Sequence, residues 1–237
     1  MKESLRTFMH GLIDYAGLFP PANLPLNEAI DDYIKHLNGE NSWMLGRFII
    51  PVSKLNELDQ FVSLFDEIGP LELAVLGSGG DSNDEYLSKI SNDMAKISDY
   101  RNKHSGKVRI EVYECKLPSN SPSKETMEKA TDLLNQNKLS HYHEFPELPD
   151  VGINYSTNED ESSWNEEILP VVSMIAELEG AGIKLRCGGI VKDAFPSVEQ
   201  MAAMIQTCAL IDIPMKCTAG LHHPIRHFAE EYDAYMH

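Results

Sequence analysis

Short apolar runs alternate with longer stretches of helical periodicity along the chain, and this alternation limits its fold more than any other feature. The runs have the length of buried strands, whereas the intervening stretches repeat their apolar residues about every 3.6 positions. We predict strands at residues 12–16, 47–50, 71–76, 108–115, 140–145, 183–187 and 213–218. We predict helices at 26–37 with Asn27 as N-cap, after Ser53, at 83–103, 124–135 and 164–179, after Ser197, and at 224–235.

Strands that alternate with helices pair in parallel, because each connection has to cross back over one face of the sheet. Seven such units without a Gly/Ser-rich linker predict one domain over residues 1–237, an α/β fold with a parallel (β/α) barrel of the TIM type. The barrel has seven or eight strands, and a short strand at 151–155 would supply the eighth; without it the barrel is irregular or incomplete. An open doubly wound sheet is the alternative, although its GxGxxG fingerprint is missing.

Composition restricts the partners of the chain. A net charge of −17 argues against binding to nucleic acid, which needs an excess of Lys and Arg on one face. A small anionic metabolite stays open as a partner, since a few cations can dominate one site. We expect no membrane span, no signal peptide and a cytoplasmic protein, and a homo-oligomer is compatible with the sequence. The four cysteines show no CxxC spacing and are expected to be buried free thiols.

Ionisable residues concentrate at the carboxyl ends of the predicted strands, where barrel enzymes place their reactive groups. A parallel strand that is covered on both faces should be apolar, so charged residues at its end indicate a functional or ion-pairing role. This concentration is the main functional signal. The residues are Asp14, Glu114, His141, His143, Glu144, Lys184, Arg186, Lys216, His222 and His223.

Lys184 and Arg186 are two residues apart and therefore point to the same face of their strand. The Gly188-Gly189 turn that follows has N–H groups that an anion can approach closely, and a guanidinium binds carboxylate or phosphate well. We therefore predict a substrate-binding site for an anion. The alternative is an internal ion pair with a glutamate of a neighbouring strand, for example Glu111.

Lys216 should face the barrel interior, because Met215 and Cys217 on either side of it suit the helix layer. Loss of hydration there favours a neutral, nucleophilic amine of the kind that forms Schiff bases. The alternative is a lysine that keeps its charge and binds an anion or pairs with a carboxylate such as Glu114 or Glu144.

His141 and His143 share one face of the fifth predicted strand, and an inward HxH pair could bind a divalent metal such as zinc. Such a site needs further ligands, for which His222 and Glu114 are candidates. His222 and His223 lie at a loop-to-helix junction, so at most one of them is expected to act as a base or ligand, the alternative being a surface helix cap. No other cofactor is indicated.

Asp14 ends the first predicted strand, and the loop that follows it is made rigid by Pro20 and Pro21. Its carboxylate could reach substrate at the mouth of the barrel. The alternative is a turn in which it only accepts hydrogen bonds from the backbone.

The segments AGLFPPA, KLRCGG and TAGLHHP resemble those of a group of uncharacterised bacterial proteins that share AGLFPPA, K(L/I)RxGG and TAGLHHP. The resemblance covers most of the chain and implies a barrel-type fold without implying a substrate. It also implies a chain that continues beyond the position of His237, so that closure of the barrel by this chain's own residues is in doubt. More distantly, a late-strand lysine followed by a Thr/Gly-rich turn is similar to Schiff-base aldolases of the barrel fold.

These observations lead to one main hypothesis: an enzyme of the lyase or aldolase kind that acts on a small carboxylate- or phosphate-bearing metabolite. Lys216 would polarise a carbonyl or form an imine, Glu114 or Glu144 would move protons, and one of His222 and His223 would assist. A divalent-metal-dependent barrel enzyme and a non-catalytic binding or scaffold protein are the alternatives.

Overall fold

A computed structural model describes residues 2–151, 163–189, 194–219, 227–230 and 234–236. Seven strands form one sheet, and their order follows the chain from the first strand to the seventh. A doubly wound sheet reverses its strand order at a switch point, so this alternative is wrong. The strands are β1 Ile13–Tyr15, β2 Leu45–Pro51, β3 Leu71–Leu76, β4 Val108–Lys116, β5 Ser140–Glu144, β6 Ala181–Arg186 and β7 Met215–Thr218.

Helices connect the strands, which confirms the α/β class with a parallel sheet. Among the described residues, no helix is both long enough and apolar enough to cross a membrane. The α-helices are α1 Glu3–Met9, α2 Leu26–Leu37, α3 Asn83–Lys103, α4 Lys124–Gln136, α5 Ser163–Ala176 and α6 Val198–Ile211.

The chain divides into two compact units. The first contains residues 1–78 and 92–113, and the second contains residues 79–91 and 114–237. The boundary passes through β4, between Tyr113 and Glu114. The single domain over residues 1–237 stays a prediction.

In the first unit, two short 3₁₀ helices replace the α-helix predicted after Ser53. The chain forms 3₁₀ turns at Val52–Leu58 and Val62–Phe65. Val52, Leu55 and Leu58 are buried at intervals of three residues, which matches the 3.0 residues per turn of a 3₁₀ helix. Ser53 accordingly caps no helix, and the prediction there was wrong.

Capping differs between two other helices. α2 begins at Leu26 with Pro25 in the N-cap position and no side-chain cap, so Asn27 lies inside the helix and its predicted role was wrong. α6 confirms the prediction for Ser197, whose hydroxyl accepts from the N–H of Gln200 while the Gln200 side chain accepts from the N–H of Ser197. This reciprocal pair is a capping box.

The second unit ends in a short antiparallel pair where we predicted a helix at 224–235. β8 (His227–Ala229) pairs with β9 (Ala234–Met236), and the rings of Phe228 and Tyr235 are opposite each other at 5.3 Å between centroids. Aromatic cross-strand pairs of this kind stabilise paired strands, and the helix predicted at 224–235 was wrong at the residues of β8 and β9. Of the strand predicted at 151–155, residues 152–155 lie outside the described part of the chain.

Candidate functional site

Three charged residues form a level row across the strands of the second unit. Glu144 on β5 is the register partner of Lys184 on β6, and Lys184 is the register partner of Lys216 on β7. Residues paired in this way point to the same face of a parallel sheet. The sequence predicts that Lys184 and Arg186 share one face of β6. The strand register shows that Glu144 and Lys216 are the neighbours of Lys184 on that face.

Ion pairs connect this row to Glu114 on β4. Lys184 Nζ lies 3.2 Å from Glu114 Oε2 and 3.0 Å from Glu144 Oε2, so this lysine bridges the two carboxylates. Lys216 Nζ donates to Glu114 Oε1 at 2.5 Å. Arg186 NH1 lies 3.9 Å from Glu144 Oε1 at the edge of the group. We call these five residues the charged cluster.

Burial makes the charged cluster costly to assemble. The side chain of Glu114 is 0% exposed, and those of Lys184 and Glu144 are 12% and 14% exposed. Among the described residues, Glu114 Oε2 has no hydrogen bond of good geometry, although Lys184 Nζ is close enough to pair with it. Ions taken out of water are tolerated only when opposite charges compensate them, so these five side chains depend on one another.

Arg186 is the accessible member of the cluster. Its side chain is 56% exposed, and its Nε donates to the carbonyl oxygen of Gly188 at 3.0 Å. A Cβ added to Gly189 would lie 2.6 Å from Ala194 Cβ and 3.5 Å from Arg186 NH2. The Gly188-Gly189 turn therefore packs against the guanidinium, and a carbonyl of the turn faces it.

Lys184 forms internal ion pairs, as in the alternative to an anion-binding role, but its partners are not Glu111. Its carboxylate neighbours are Glu114 and Glu144. Glu111 belongs to the first unit, where its carboxylate lies 3.4 Å from Arg47 NH2 and 3.7 Å from Arg109 Nε. The structure thus shows Lys216 and Lys184 on the same carboxylate, Glu114, a pairing that the spacing of residues along the chain cannot reveal.

His141 and His143 point to the other face of β5, away from Glu144. His141 Nδ1 lies 2.7 Å from His143 Nε2, and His143 Nδ1 lies 3.0 Å from the hydroxyl of Tyr86 on α3. The Tyr86 hydroxyl lies 3.1 Å from Cys115 Sγ. These four buried side chains form a continuous hydrogen-bonded chain, which we call the histidine chain.

Burial keeps both rings neutral. It lowers the pKa of His141 to about 4, with a smaller opposing effect of the backbone carbonyl of Glu179. It also holds the pKa of His143 well below its usual range, and His141 contributes in the same direction. Among the described residues, His141 Nε2 has no hydrogen-bond partner of good geometry.

The described residues contain no group of three or more His, Cys, Asp or Glu side chains arranged to hold a metal ion. His141 and His143 use the facing nitrogens of their rings for each other. His222 and His223, which we predicted as a base or a ligand, lie outside the described part of the chain.

Asp14 belongs to the first unit. Between Ile13 and Tyr15 the register of β1 against β2 shifts by one residue, and the carboxylate of Asp14 accepts from the N–H of Arg47 at 2.7 Å. A Cβ on Gly46 would lie 2.3 Å from Asp14 Oδ1. Asp14 thus binds the backbone at an irregularity of the sheet, as in the structural alternative that we gave for it.

Sequence reasoning missed the roles of Tyr86 and Cys115. The sequence predicts Cys115 only as a buried thiol, and Tyr86 is one of many residues on a long charged helix. Strand parity is the signal that could have found Cys115, since it places Cys115 opposite Glu114 on β4, as it places His143 opposite Glu144 on β5. No protein-family model matches the chain, and no curated protein is significantly similar to it.

Proposed function

We propose that the chain is an enzyme that acts on a small carboxylate- or phosphate-bearing metabolite at the charged cluster, with chemistry of the lyase or aldolase kind. The observation that carries the proposal is the meeting of two lysines at one fully buried carboxylate, Glu114. We also propose that the sheet is the greater part of a TIM-type barrel, since its strands are ordered as in the chain.

The charge of the cluster supports an anionic substrate. Lys184, Arg186 and Lys216 supply three positive charges, and Glu114 and Glu144 supply two negative ones, so the cluster carries a net +1 when all five are ionised. This local excess lies in a chain of net charge −17. Arg186 is the most exposed of the cations, and its guanidinium is suited to bind the carboxylate or phosphate.

Lys216 and Glu114 have the geometry for proton transfer during imine formation. The ammonium of Lys216 must give up a proton before it attacks a carbonyl carbon, and Glu114 Oε1 lies 2.5 Å from it. The carbonyl oxygen then leaves as water with two of the three ammonium protons, and the third stays on the iminium nitrogen. The iminium accepts the electron pair released when a neighbouring C–C bond breaks, and Glu144 is a second carboxylate that can move protons.

Lys184 assists in this proposal by its position. It lies between Glu114 and Glu144 and fixes where both carboxylates point. In the absence of substrate the same contacts keep the buried charges compensated.

Trapping with borohydride tests the proposal directly. Pyruvate serves as a carboxylate-bearing ketone and dihydroxyacetone phosphate as a phosphate-bearing one; each is incubated with the protein, reduced, and analysed by intact mass and peptide mapping. The expected result is one reduced adduct on Lys216 that Arg186→Ala weakens. Lys129→Ala, which changes an exposed lysine of α4, is the matched control and should leave trapping unchanged.

The alternatives give different results in the same assay. A scaffold protein, in which the charges serve only one another, gives no adduct and no thermal shift with either compound. A metal-dependent enzyme gives no adduct either, but retains a divalent metal when it is purified without chelator. Adducts spread over surface lysines, or on Lys184 alone, would contradict the role that we assign to Lys216.

A further inference from the structure

Two thiols occupy adjacent strand ends on the opposite face of the sheet from the lysines. Cys217 lies on β7 beside its register partner Leu185 of β6. Cys187 follows β6 directly, and its N–H donates to the carbonyl of Thr218 at 2.7 Å. Strand parity places Leu185, Cys187 and Cys217 on one face, so the two thiols are diagonal neighbours across two paired strands.

The thiol of Cys187 points back along β6 towards Cys217, because it donates to the carbonyl oxygen of Leu185, the register partner of Cys217, at 3.6 Å. The neighbouring Cys187 side chain lowers the pKa of Cys217 to about 7, although burial acts in the opposite direction. The Cys217 side chain and burial raise the pKa of Cys187. One thiol of the pair is therefore disposed to be a thiolate near neutral pH and the other to stay protonated.

Solvent exposure also makes Cys217 the more reactive of the two thiols. Cys217 is partly accessible to solvent, whereas Cys187, Cys208 and Cys115 are buried, and all four are free thiols. Burial raises the pKa of Cys208 on α6 to about 11, with a contribution from Cys217. Among the cysteines, Cys217 alone combines access with a stabilised thiolate, and it has a second thiol beside it.

We propose that Cys217 is a site of oxidation by hydrogen peroxide and that Cys187 resolves the product as an intrachain disulfide. The Cys217 thiolate attacks one peroxide oxygen, the O–O bond breaks, and the leaving hydroxide takes a proton to become water. This gives a sulfenic acid on Cys217. The sulfur of Cys187 then attacks the Cys217 sulfur, the S–O bond breaks, and the hydroxyl leaves as water with the Cys187 proton. Two thiols lose two electrons, and the peroxide gains them.

The disulfide would restrain the two strand ends that carry Arg186 and Lys216. Arg186 directly precedes Cys187, and Lys216 directly precedes Cys217. The sulfurs must approach to about 2.0 Å to bond, and Cys187 is the more adjustable partner because β6 ends one residue before it. Oxidation therefore draws the carboxyl ends of β6 and β7 towards each other.

The expected reactivity is moderate. A thiol with a pKa near 7 is about half ionised at pH 7, compared with about one per cent for a thiol with a pKa near 9. Because a less basic thiolate is also a weaker nucleophile, the net gain in alkylation rate at pH 7 is about fivefold to tenfold. The effect is large enough to measure by mass spectrometry on the native protein.

Iodoacetamide labelling of the native chain from pH 5 to 9, read by peptide mass, tests the first step. Cys217 should be labelled first, with a midpoint near pH 7 that Cys187→Ala moves upward. Cys208→Ala is the matched control, since it removes a buried neighbouring thiol, and should leave the midpoint in place. Labelling of Cys217 no faster than that of the buried cysteines would overturn the proposal.

Treatment with hydrogen peroxide tests the second step. We expect the wild-type chain to lose two hydrogens and to give one non-reduced peptide linking residues 187 and 217, reversed by dithiothreitol. Cys187→Ala should instead leave a sulfenic acid on Cys217 that reacts with dimedone. A disulfide with any other cysteine, or dimedone labelling that Cys187→Ala does not increase, would refute the assignment. Neither experiment depends on the enzymatic function proposed above.

Discussion

Lowering the pH from 7 to 4.5 should destabilise the second unit through the histidine chain. His141 titrates near 6.5 in an unfolded chain but at about 4 in the folded one. Below pH 6.5 the unfolded state therefore binds a proton that the folded state excludes, and the free energy of unfolding falls as the pH falls. The loss stops near pH 4, where folded His141 also takes up its proton.

The expected magnitude follows from the size of the shift. A difference of about 2.5 pH units at 1.36 kcal/mol per unit gives a loss of about 3 kcal/mol from His141 alone. His143 acts in the same direction because its pKa is also lowered. Between pH 6 and 5, the free energy of unfolding should fall by about 1.4 kcal/mol per pH unit for each histidine.

Urea denaturation at intervals of half a pH unit measures this slope. Trp164 is buried in the second unit, so its fluorescence in a Trp43→Phe background reports on that unit. His141→Asn retains a polar atom near the position of Nδ1 but removes the titrating ring. This variant should be less stable at pH 7. Between pH 6 and 5 its free energy of unfolding should fall less steeply than that of the wild-type chain, by about 1.4 kcal/mol per pH unit.

The control is His36→Gln. His36 lies on the exposed side of α2, 3.4 Å from Asp32, and its replacement should leave the slope of the second unit unchanged. The reasoning would be refuted if the wild-type chain and His141→Asn lost stability equally steeply between pH 6.5 and 5. The slope would then come from other groups, and the buried rings would not be excluding protons.

Replacing Lys184 by Ala should lower the free energy of unfolding by about 3–5 kcal/mol, because two enclosed carboxylates lose their shared cation. Lys129→Ala on the surface of α4 should leave the same urea titration nearly unchanged. Ser197→Ala removes the capping box of α6, and we expect a loss of about 1 kcal/mol by chemical denaturation; an unchanged midpoint would mean that the cap contributes nothing. Gly46→Ala puts a methyl group 2.3 Å from Asp14 Oδ1 and should cost about 1–3 kcal/mol, seen as a lower melting temperature; wild-type melting would disprove the close approach.

The elements that the sequence predicted well are those whose ends carry a local signal. Leu71–Leu76 is apolar except for Glu72 and lies between Pro70 and Gly77, and α3 at Asn83–Lys103 follows a glycine-rich turn. The helix type of Val52–Leu58 could not be predicted in the same way. Over two turns, apolar residues at every third position fit a 3₁₀ helix and an α-helix almost equally well. Packing on the sheet decides between the two helix types there.

The sequence predicts which face of the sheet the candidate-site residues occupy, but it does not predict which residues they pair with. Strand parity put Lys184 and Arg186 on one face, and their burial and contacts agree with it. The pairing of Lys216 with Glu114 depends on the register between strands that are 102 residues apart, and no local pattern encodes it. The position of Tyr86 beside His143 depends in the same way on how α3 rotates against the sheet.

The level row of Glu144, Lys184 and Lys216 also bears on how β5, β6 and β7 find their alignment. A slip of β6 by one residue would turn Lys184 and Arg186 into the aliphatic layer. Glu114 and Glu144 would then lose the cation that they share. The charges therefore penalise this one-residue misalignment, whether or not they strengthen the native pairing.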